Sequence, residues 1–120
     1  MTESTVLAGR APSVAAMLLR QVQASGPLEA LRHRDGDRWL SLTWQQTQAR
    51  AFELAAGLLA LGIRPEDRVA IASNTRLEWI LADLAIMCAG GATTTVYPST
   101  QHEDVSYILG DSQSLSLIHI

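Results

Sequence analysis

The sequence contains no lysine, because all nine of its basic residues are arginines. A phosphate-binding loop of the Gly-rich Lys-Ser/Thr type is therefore excluded, and no Gly-x-Gly-x-x-Gly pattern replaces it. Cysteine is almost absent as well, since Cys88 stands alone in an apolar run. A single cysteine excludes an internal disulfide, and these surroundings indicate a buried thiol in a reducing compartment rather than a nucleophile. The formal net charge of -3, without a basic stripe, excludes a nucleic-acid partner.

Long apolar runs are also lacking. The longest, Trp79 to Ala92, is interrupted by Asp83 and falls short of the roughly 20 residues that cross a bilayer. The apolar stretch from Val14 to Leu19 stops at Arg20 without a clean cleavage site, so a secretory signal is not expected. These features favour a cytoplasmic protein.

Residue types that carry chemistry are scattered along the chain. The three histidines, His33, His102 and His119, show no metal-ligand spacing and have no partner cysteine or carboxylate pair. The adjacent acids Glu103 and Asp104 fall in the first turn of an expected helix, where the helix dipole explains them better than acid-base catalysis does. The residues alone therefore predict no catalytic, no cofactor-binding and no metal-ligating position.

Two further features have a structural and a functional interpretation. Trp39, Trp44 and Trp79 could line an acyl or aromatic pocket, but each falls where a layered α/β fold needs a large core side chain. Gly90-Gly91 could admit a ligand to the backbone, but the end of a helix is the better explanation for the pair. In both cases the structural interpretation is favoured.

What the sequence does contain is enough apolar surface for a core. Apolar residues make up 48% of the 120 residues and charged ones 18%, which indicates one folded unit, or part of one. After a polar start, apolar residues at helical spacing follow Pro12-Ser13 and stop at Gly26-Pro27, which predicts a first helix. Segments 28–34 and 38–42 flank Asp35-Gly36-Asp37, whose Asp-Gly pair supplies the positive backbone angles of a β-hairpin.

A second helix follows the hairpin. Thr43 and Gln46 form a capping box at its start, and Gly62 is suited to the left-handed position after its end. Five residues make the stripe that we expect to face the core: Ala51, Leu54, Ala55, Leu58 and Leu61.

From residue 69 onward, the pattern alternates between strands and helices. Val69 to Ala72 is typical of a strand covered on both faces, and Thr93 to Tyr97 is a β-branched run that Pro98 halts. The helix between them is expected to begin at a cap on Asn74 or Thr75, with Glu78 as box partner, and to close at Gly90-Gly91. A last helix is expected from a Thr100/Glu103 capping box to Gly110.

This alternation predicts an α/β fold with parallel strands and a right-handed crossover. Because two parallel strands bury too little surface to stand alone, a third strand is expected after Gly110.

The last six residues have an unusual property. Leu115 to Ile120 reads Leu-Ser-Leu-Ile-His-Ile, which is codon for codon the translation of the transposase end sequence that some DNA-sequencing library kits attach. We therefore predict that residues 1–114 are native and that residues 115–120 are a non-native, adaptor-derived tail. The alternative is an ordinary apolar strand, which the fold would accept at this place.

Two motifs, each made of two segments, resemble those of a known family in order and spacing. Leu42–Gln46 and Leu54–Ile71, followed by Leu84–Gly91 with Val96-Tyr97-Pro98, resemble the N-terminal region of the AMP-forming acyl-activating enzymes. This superfamily includes acyl-CoA synthetases, luciferases and peptide-synthetase adenylation domains. Ser73–Ala85, with its Glu-Trp pair, and Tyr97-Pro98-Ser99-Thr100 are most similar to bacterial long-chain fatty acyl-CoA synthetases.

The resemblance implies an incomplete N-terminal part of the large domain of an adenylate-forming enzyme, with a β-hairpin and alternating parallel strands and helices. It implies a long-chain fatty acid–CoA ligase that uses ATP, Mg and coenzyme A and touches the membrane surface peripherally. In the family, the phosphate loop, the acids for Mg and ribose and the late lysine lie beyond position 120. We therefore expect this chain to be inactive by itself and to bind none of the three cofactors.

The sequence departs from the family at two places, and it leaves alternatives open. Thr93-Thr94-Thr95 stands where the family has a more apolar strand, and Gln113-Ser114 replaces the expected small residues. A ligase for another acyl or aryl acid, or a fatty acyl-AMP ligase, would carry the same motifs. An alternative of another class is a stand-alone, non-catalytic α/β module that pairs an edge strand with a partner.

Overall fold

The computed structural model describes residues 3–120, in which helices and strands follow the expected order. The elements are α1 (Glu3–Ala8), α2 (Val14–Ser25), β1 (Glu29–Asp35), β2 (Arg38–Thr43), α3 (Trp44–Ala60), β3 (Arg68–Ala72), α4 (Leu77–Cys88), β4 (Ala92–Val96), α5 (His102–Asp111) and β5 (Ser116–His119). Helix α1 is not predicted by the sequence, because its short segment has no apolar periodicity from which a helix could be read.

Helix α2 and the hairpin form from the predicted local signals. The Ser13 side chain accepts a hydrogen bond from the Ala16 amide at 3.1 Å, and the helix gives way to Gly26. Strands β1 and β2 pair antiparallel, with Asp35 opposite Arg38. The turn differs in one respect from the expectation: Gly36 has a positive φ of 61°, whereas Asp35 belongs to β1 and has none.

The capping box of α3 is confirmed in both directions. The Thr43 amide donates to Gln46 Oε1 at 2.9 Å, and the Gln46 amide donates to Thr43 Oγ1 at 3.1 Å. Gly62 follows the helix with a φ of 100°, which is the left-handed conformation that glycine adopts without strain.

The core-facing stripe of α3 is only partly correct. Ala51, Ala55 and Leu58 are buried, but Leu54 is 46% exposed and Leu61 is 82% exposed. The reason is that α3 also packs through Thr47, which is fully buried and whose hydroxyl is satisfied by donating to the Thr43 carbonyl at 2.8 Å. This shifts the buried face and leaves the two leucines at its margin.

The second half forms a parallel three-stranded sheet in the order β4-β3-β5. The central strand is buried at Val69, Ala70 and Ile71, as its continuous apolar run predicts. The third strand that we expect after Gly110 is present as β5, so residues 115–120 include a strand in register with β3. This matches the alternative interpretation of the tail, while its adaptor origin stays a prediction.

The two faces of this sheet are covered unequally. Val69, Ile71 and Ile118 point to one face and pack with buried residues of α4, including Ala85 and Ile86. Helix α5 belongs to the other face and buries none of its residues. The hydrophobic core therefore sits between the sheet and the pair α3 and α4.

The predicted caps of α4 and α5 are wrong by one or two residues. Helix α4 begins after Arg76, because the amides of Trp79 and Ile80 donate to the Arg76 carbonyl, and the Glu78 carboxylate binds the Arg76 guanidinium. Helix α5 begins after Gln101 without a side-chain cap. It also runs past Gly110 and ends at Asp111, with Gln113 in the left-handed region.

The three tryptophans differ in burial, and only Trp39 is exposed. Trp79 is half-buried and packs against the core, and Trp44 is half-buried as well. Trp39 is 64% exposed and lines a cleft between the hairpin and the start of α4, where the Arg34 guanidinium lies 5.8 Å from its ring centroid.

Candidate functional site

The carboxyl ends of the three parallel strands meet at one edge of the sheet, which we name the carboxyl edge. β3 ends at Ala72, β4 at Val96 and β5 at His119, and the register places these three residues side by side. In open α/β sheets, ligands bind in the crevice outside the carboxyl ends of the strands. The carboxyl edge is therefore the first place to look for a site.

A cleft of about 300 Å³ opens at the carboxyl edge. The residues that line it come from the ends of the strands, from the loops that follow them and from α5: Ala72, Ser73, Asn74, Val96, Tyr97, Pro98, Thr100, Val105, His119 and Ile120. Its walls mix polar tips with apolar sides, which suits a ligand with both kinds of surface.

Short-range hydrogen bonds shape the loops of this cleft. The Ser73 hydroxyl donates to the Asn74 carbonyl at 2.8 Å, and the Thr100 amide donates to the Tyr97 carbonyl at 3.0 Å across Pro98. The proline fixes this turn and directs the chain away from the strand. Tyr97 is 73% exposed as a result.

The polar tips at the carboxyl edge are available to a ligand. Among the described residues, the side chains of Asn74, Tyr97 and His119 make no hydrogen bond with the protein. Asn74 and Tyr97 provide an amide and a phenol, which can donate and accept hydrogen bonds. His119 adds an imidazole in this chain, but it lies in the segment that we predict to be adaptor-derived. The sequence did not predict these residues as a site, although each follows or ends a strand, and the parallel-strand rule links those positions.

The carboxyl edge does not fit a metal ion. Within residues 3–120, no three residues of the types His, Cys, Asp and Glu come together in a metal-binding group. His33 lies in β1, His102 opens α5 and His119 ends β5, so the three histidines stay apart. Glu103 and Asp104 occupy the first turn of α5, as predicted. Magnesium, which prefers carboxylate oxygens and phosphates, finds no ligand set here.

A second cleft, of about 500 Å³, lies between the hairpin and the start of α4. Arg32, Arg34 and Arg76 line it, which at first suggests an anion site. However, the Arg32 guanidinium lies 2.8 Å from a Glu29 carboxylate oxygen, and the Glu29 carboxylate also accepts from Ser41. These two donors lower the pKa of Glu29.

The other two arginines of this second cleft are paired as well. The Arg76 guanidinium lies 2.6 Å from the Glu78 carboxylate and lowers its pKa, and Arg34 lies 3.8 Å from Asp37. The second cleft is therefore balanced in charge, and its arginines stabilise the surface rather than recognise an anion.

Cys88 lies near the end of α4, half-buried against the core. Burial raises the pKa of its thiol, so the reactive thiolate is disfavoured. The structural interpretation of Cys88 is thus supported by its position.

The sequence of this chain is similar to a protein family and to several of its members. The profile of a family described as AMP-binding enzyme matches residues 18–119. The chain is 35% identical over 79 residues to the long-chain-fatty-acid–CoA ligase FadD15 of Mycobacterium bovis, covering 66% of this chain and 13% of the ligase. It is 36% identical over 108 residues to phosphinothricin tripeptide synthetase PhsB of Streptomyces viridochromogenes, covering 90% of this chain and 9% of the synthetase.

Solved structures show the same fold. The fatty acid AMP ligase from Legionella pneumophila superposes with a TM-score of 0.81 at 23% identity, covering 90% of this chain and 19% of that one. The chain therefore spans less than a fifth of the length of these relatives.

Within the part of the chain that the structure describes, none of the helices has the length and apolar character needed to span a membrane.

Proposed function

Since this chain belongs to the AMP-binding enzyme family, we propose that it is part of a long-chain fatty acid–CoA ligase. Its mixed α/β fold with a parallel sheet matches structures of adenylate-forming enzymes, so the expected fold class is confirmed. The family assignment is likewise confirmed by the profile match. The substrate of the longer protein is our proposal.

The proposed reaction has two steps. The fatty acid carboxylate attacks the α-phosphorus of ATP and expels pyrophosphate, which forms acyl-AMP with a good leaving group. The thiol of coenzyme A then attacks the acyl carbon, loses its proton and expels AMP. Residues 3–120 offer no carboxylate cluster for Mg, and the sequence has no lysine to balance developing charge. We place the groups that perform the chemistry in parts of the enzyme outside this chain, as the family resemblance implies.

One observation carries the choice of a fatty acid. The two segments most similar to long-chain synthetases both leave the carboxyl edge: Ser73–Ala85 follows β3, and Tyr97–Thr100 follows β4. Loops at this edge determine ligands in α/β folds, so similarity in these loops bears on substrate more than similarity in the core does. The relationship to the Mycobacterium bovis ligase supports the same substrate class.

A second candidate is an enzyme that activates an amino acid. The alignment with the tripeptide synthetase covers 90% of this chain, against 66% for the fatty-acid ligase, at similar identity. A ligase for another acid, a fatty acyl-AMP ligase and a stand-alone interaction module remain further alternatives.

Substrate-dependent exchange of labelled pyrophosphate into ATP distinguishes these candidates. The longer protein from the source genome is assayed with palmitate, benzoate and a mixture of amino acids, and loss of the coenzyme A thiol is followed with a thiol reagent. We expect exchange with palmitate and consumption of coenzyme A that depends on palmitate and ATP. Exchange with amino acids alone would overturn the fatty-acid proposal, and exchange with palmitate without thiol loss would indicate an acyl-AMP ligase.

The 120-residue chain is the matched control. We expect it to catalyse no exchange, and NMR titration with Mg-ATP is expected to leave the signals of Asn74, Tyr97 and His119 unshifted. Saturable shifts of these signals would contradict the expectation that this chain binds no cofactor.

We further propose a cytoplasmic enzyme that meets its substrate at the inner membrane face. When the source cells are fractionated, we expect most of the longer protein in the soluble fraction. We expect the part that is bound to membranes to be released by high salt. Retention in the membrane after a salt wash would argue against peripheral contact.

A further inference from the structure

The carboxyl edge keeps a defined surface when residues 115–120 are set aside. Ala72 and Val96 end β3 and β4 and are partners in the parallel register. Directly after β4, the Tyr97 carbonyl accepts a hydrogen bond from the Thr100 amide at 3.0 Å, which closes a turn. The place of Tyr97 at this edge is therefore set by β3, β4 and the turn that follows β4.

The described residues give this surface no charge. Those before position 115 that line the cleft are all uncharged. The guanidinium of Arg76, at the end of the loop after β3, lies 2.6 Å from the Glu78 carboxylate, which neutralises it. Arg68 lies at the opposite edge, where its guanidinium donates to backbone carbonyls. Residues 3–114 therefore place no unpaired cation in the lining of this cleft.

Negative side chains stand beside the cleft instead. Glu103 and Asp104 occupy the first turn of α5, directly before Val105, which lines the cleft. Their carboxylates offset the positive end of the helix dipole and repel an anion that approaches from this side. Protein sites that recognise phosphate use the positive charge of arginine or lysine. This edge therefore does not suit the triphosphate of ATP.

The lining suits a hydrocarbon better than a base or a sugar. Val96 and Pro98 add apolar side chains to the ring of Tyr97, which has a large apolar face and a polar tip. The Ser73 hydroxyl already donates to the Asn74 carbonyl at 2.8 Å, so two of the polar groups are occupied. A nucleoside is recognised by several converging polar groups, whereas an alkyl chain needs apolar contact.

We propose that Tyr97 packs against the hydrocarbon part of the acid substrate and thereby determines which chain lengths the enzyme prefers. The inference rests on the proposed function, because it needs an acid that has a hydrocarbon part. It assigns the acid to the carboxyl edge and the triphosphate to another part of the longer enzyme. Apolar contact gains free energy in proportion to the area buried, so a longer chain gains more from the ring than a shorter one does.

Steady-state kinetics of the longer enzyme from the source genome test this role. In Tyr97→Ala, the ratio of kcat/KM for palmitate to kcat/KM for octanoate is expected to fall by at least about fivefold, since apolar contact is lost. The KM for ATP is expected to change by less than about twofold. Tyr97→Phe keeps the ring, so the ratio is expected to stay within about twofold of that of the parent enzyme.

Tyr107→Ala is the matched control. Tyr107 lies on α5 and is 71% exposed, close to the 73% of Tyr97, but it does not line the cleft. We expect this variant to change neither the ratio nor the KM for ATP.

Asn74→Lys keeps the proposal testable if Tyr97→Ala fails to fold. A cation beside a hydrocarbon is expected to lower kcat/KM for palmitate and to leave the KM for ATP unchanged, because a charge is desolvated next to an apolar chain. A cation beside a triphosphate would change the KM for ATP instead, and that result would overturn the inference.

Three results with the Tyr97 variants would also overturn it. They are an unchanged or raised ratio in Tyr97→Ala, a change in the KM for ATP alone, and an equal fall of the ratio in Tyr97→Phe, which would make the hydroxyl the important group. Failure of the proposed function is distinct, because the parent enzyme itself would then activate no fatty acid. The same variants are in that case compared on the acid that the parent does activate, and an unchanged KM for that acid in Tyr97→Ala would overturn the role of Tyr97.

Discussion

The two edges of the parallel sheet are built in opposite ways. At the edge where the strands begin, backbone bonds join neighbouring segments at 2.8 Å, from the Glu66 amide to the Gly90 carbonyl and from the Ala92 amide to the Asp67 carbonyl. Arg68 adds three bonds of its own at this edge. At the carboxyl edge, the loops bond mostly to themselves, and the side chains of Asn74 and Tyr97 are left to solvent.

The two edges therefore suit different roles. The edge where the strands begin stabilises the sheet, and the carboxyl edge suits the binding of a ligand. Groups that are already bonded to each other hold the strands in register but have nothing left for a ligand. Groups that are left unbonded add little to stability but can meet a substrate. In parallel α/β folds, the carboxyl edge carries function, and the assignment of this chain to an enzyme family agrees with that arrangement.

Gly91→Val is expected to have the largest effect, because it disturbs the edge at which the strands begin. A Cβ atom at Gly91 would lie 3.0 Å from the Asp67 carbonyl oxygen and 3.1 Å from Ile86 Cγ2, so the start of β4 must move. We expect a loss of about 1–3 kcal/mol in unfolding free energy, measured with urea. Gly57→Val is the matched control, since open space surrounds Gly57 in α3 and its change should stay within about 0.5 kcal/mol.

Thr93→Val is expected to stabilise the fold, in contrast to Gly91→Val. The Thr93 hydroxyl oxygen, near the beginning of β4, is buried without a hydrogen-bond partner. Replacing it with a methyl group removes the cost of desolvation, so the urea midpoint should rise by the equivalent of about 1 kcal/mol. Thr95→Val, at an exposed position of the same strand, should give a smaller change. A destabilised Thr93→Val protein would show that the hydroxyl has a partner.

Glu78→Gln tests the start of α4, which follows the loop that leaves the carboxyl edge after β3. Hydrogen bonds from Arg76 lower the pKa of Glu78, so the ion pair stabilises the fold above the usual carboxyl range and is lost as the pH falls through the lowered value. At pH 7 the variant should be slightly less stable than the parent, by less than Thr93→Val gains. That difference should vanish in acid, in urea titrations run from pH 7 to pH 2. Glu53→Gln, at an exposed position of α3, is the matched control for the loss of a surface carboxylate at pH 7 and should change the unfolding free energy less than Glu78→Gln does.

Tyr97→Ala is expected to have the smallest effect on stability. The Tyr97 side chain is exposed at the carboxyl edge and makes no hydrogen bond with another described residue. The free energy of unfolding should therefore change by less than about 0.5 kcal/mol. A loss above about 1 kcal/mol would mean that the carboxyl edge contributes to stability as the other edge does, and the comparison would fail.

Local signals made much of this fold predictable from the sequence. The capping box of Thr43 and Gln46 acts within one helical turn, and the apolar run of β3 reports burial on both faces directly. The sequence places the starts of α4 and α5 one or two residues too early, because several polar residues precede each helix and the pattern does not show which of them pairs with which. The pairing of Arg76 with Glu78 is an example, since it removes the expected box partner.

The candidate site was not predictable in the same way. Asn74, Tyr97 and His119 lie far apart in sequence, and only the parallel register of β3, β4 and β5 brings them to one edge. The exposure of Trp39 was missed for a related reason, since hairpin alternation does not say which face meets the rest of the protein.

The origin of residues 115–120 is a separate question, and sequencing of the source DNA across codons 111–120 and several hundred codons beyond answers it. We expect the reading frame to continue beyond Ser114 with residues other than Leu-Ser-Leu-Ile-His-Ile and to reach a late lysine. A genomic stop codon after Ile120 would remove the enzyme proposal and favour the interaction module.

The strand order β4-β3-β5 also has a consequence for the newborn chain on the ribosome. The central strand is made first and gains β4 soon afterwards, but the strand that pairs with its other side follows α5 and is made last of the three. At roughly 5–20 residues per second, the free side of β3 waits several seconds for its second neighbour. During that interval β3 is an open template for another strand, and crowded nascent chains would compete with β5 for it.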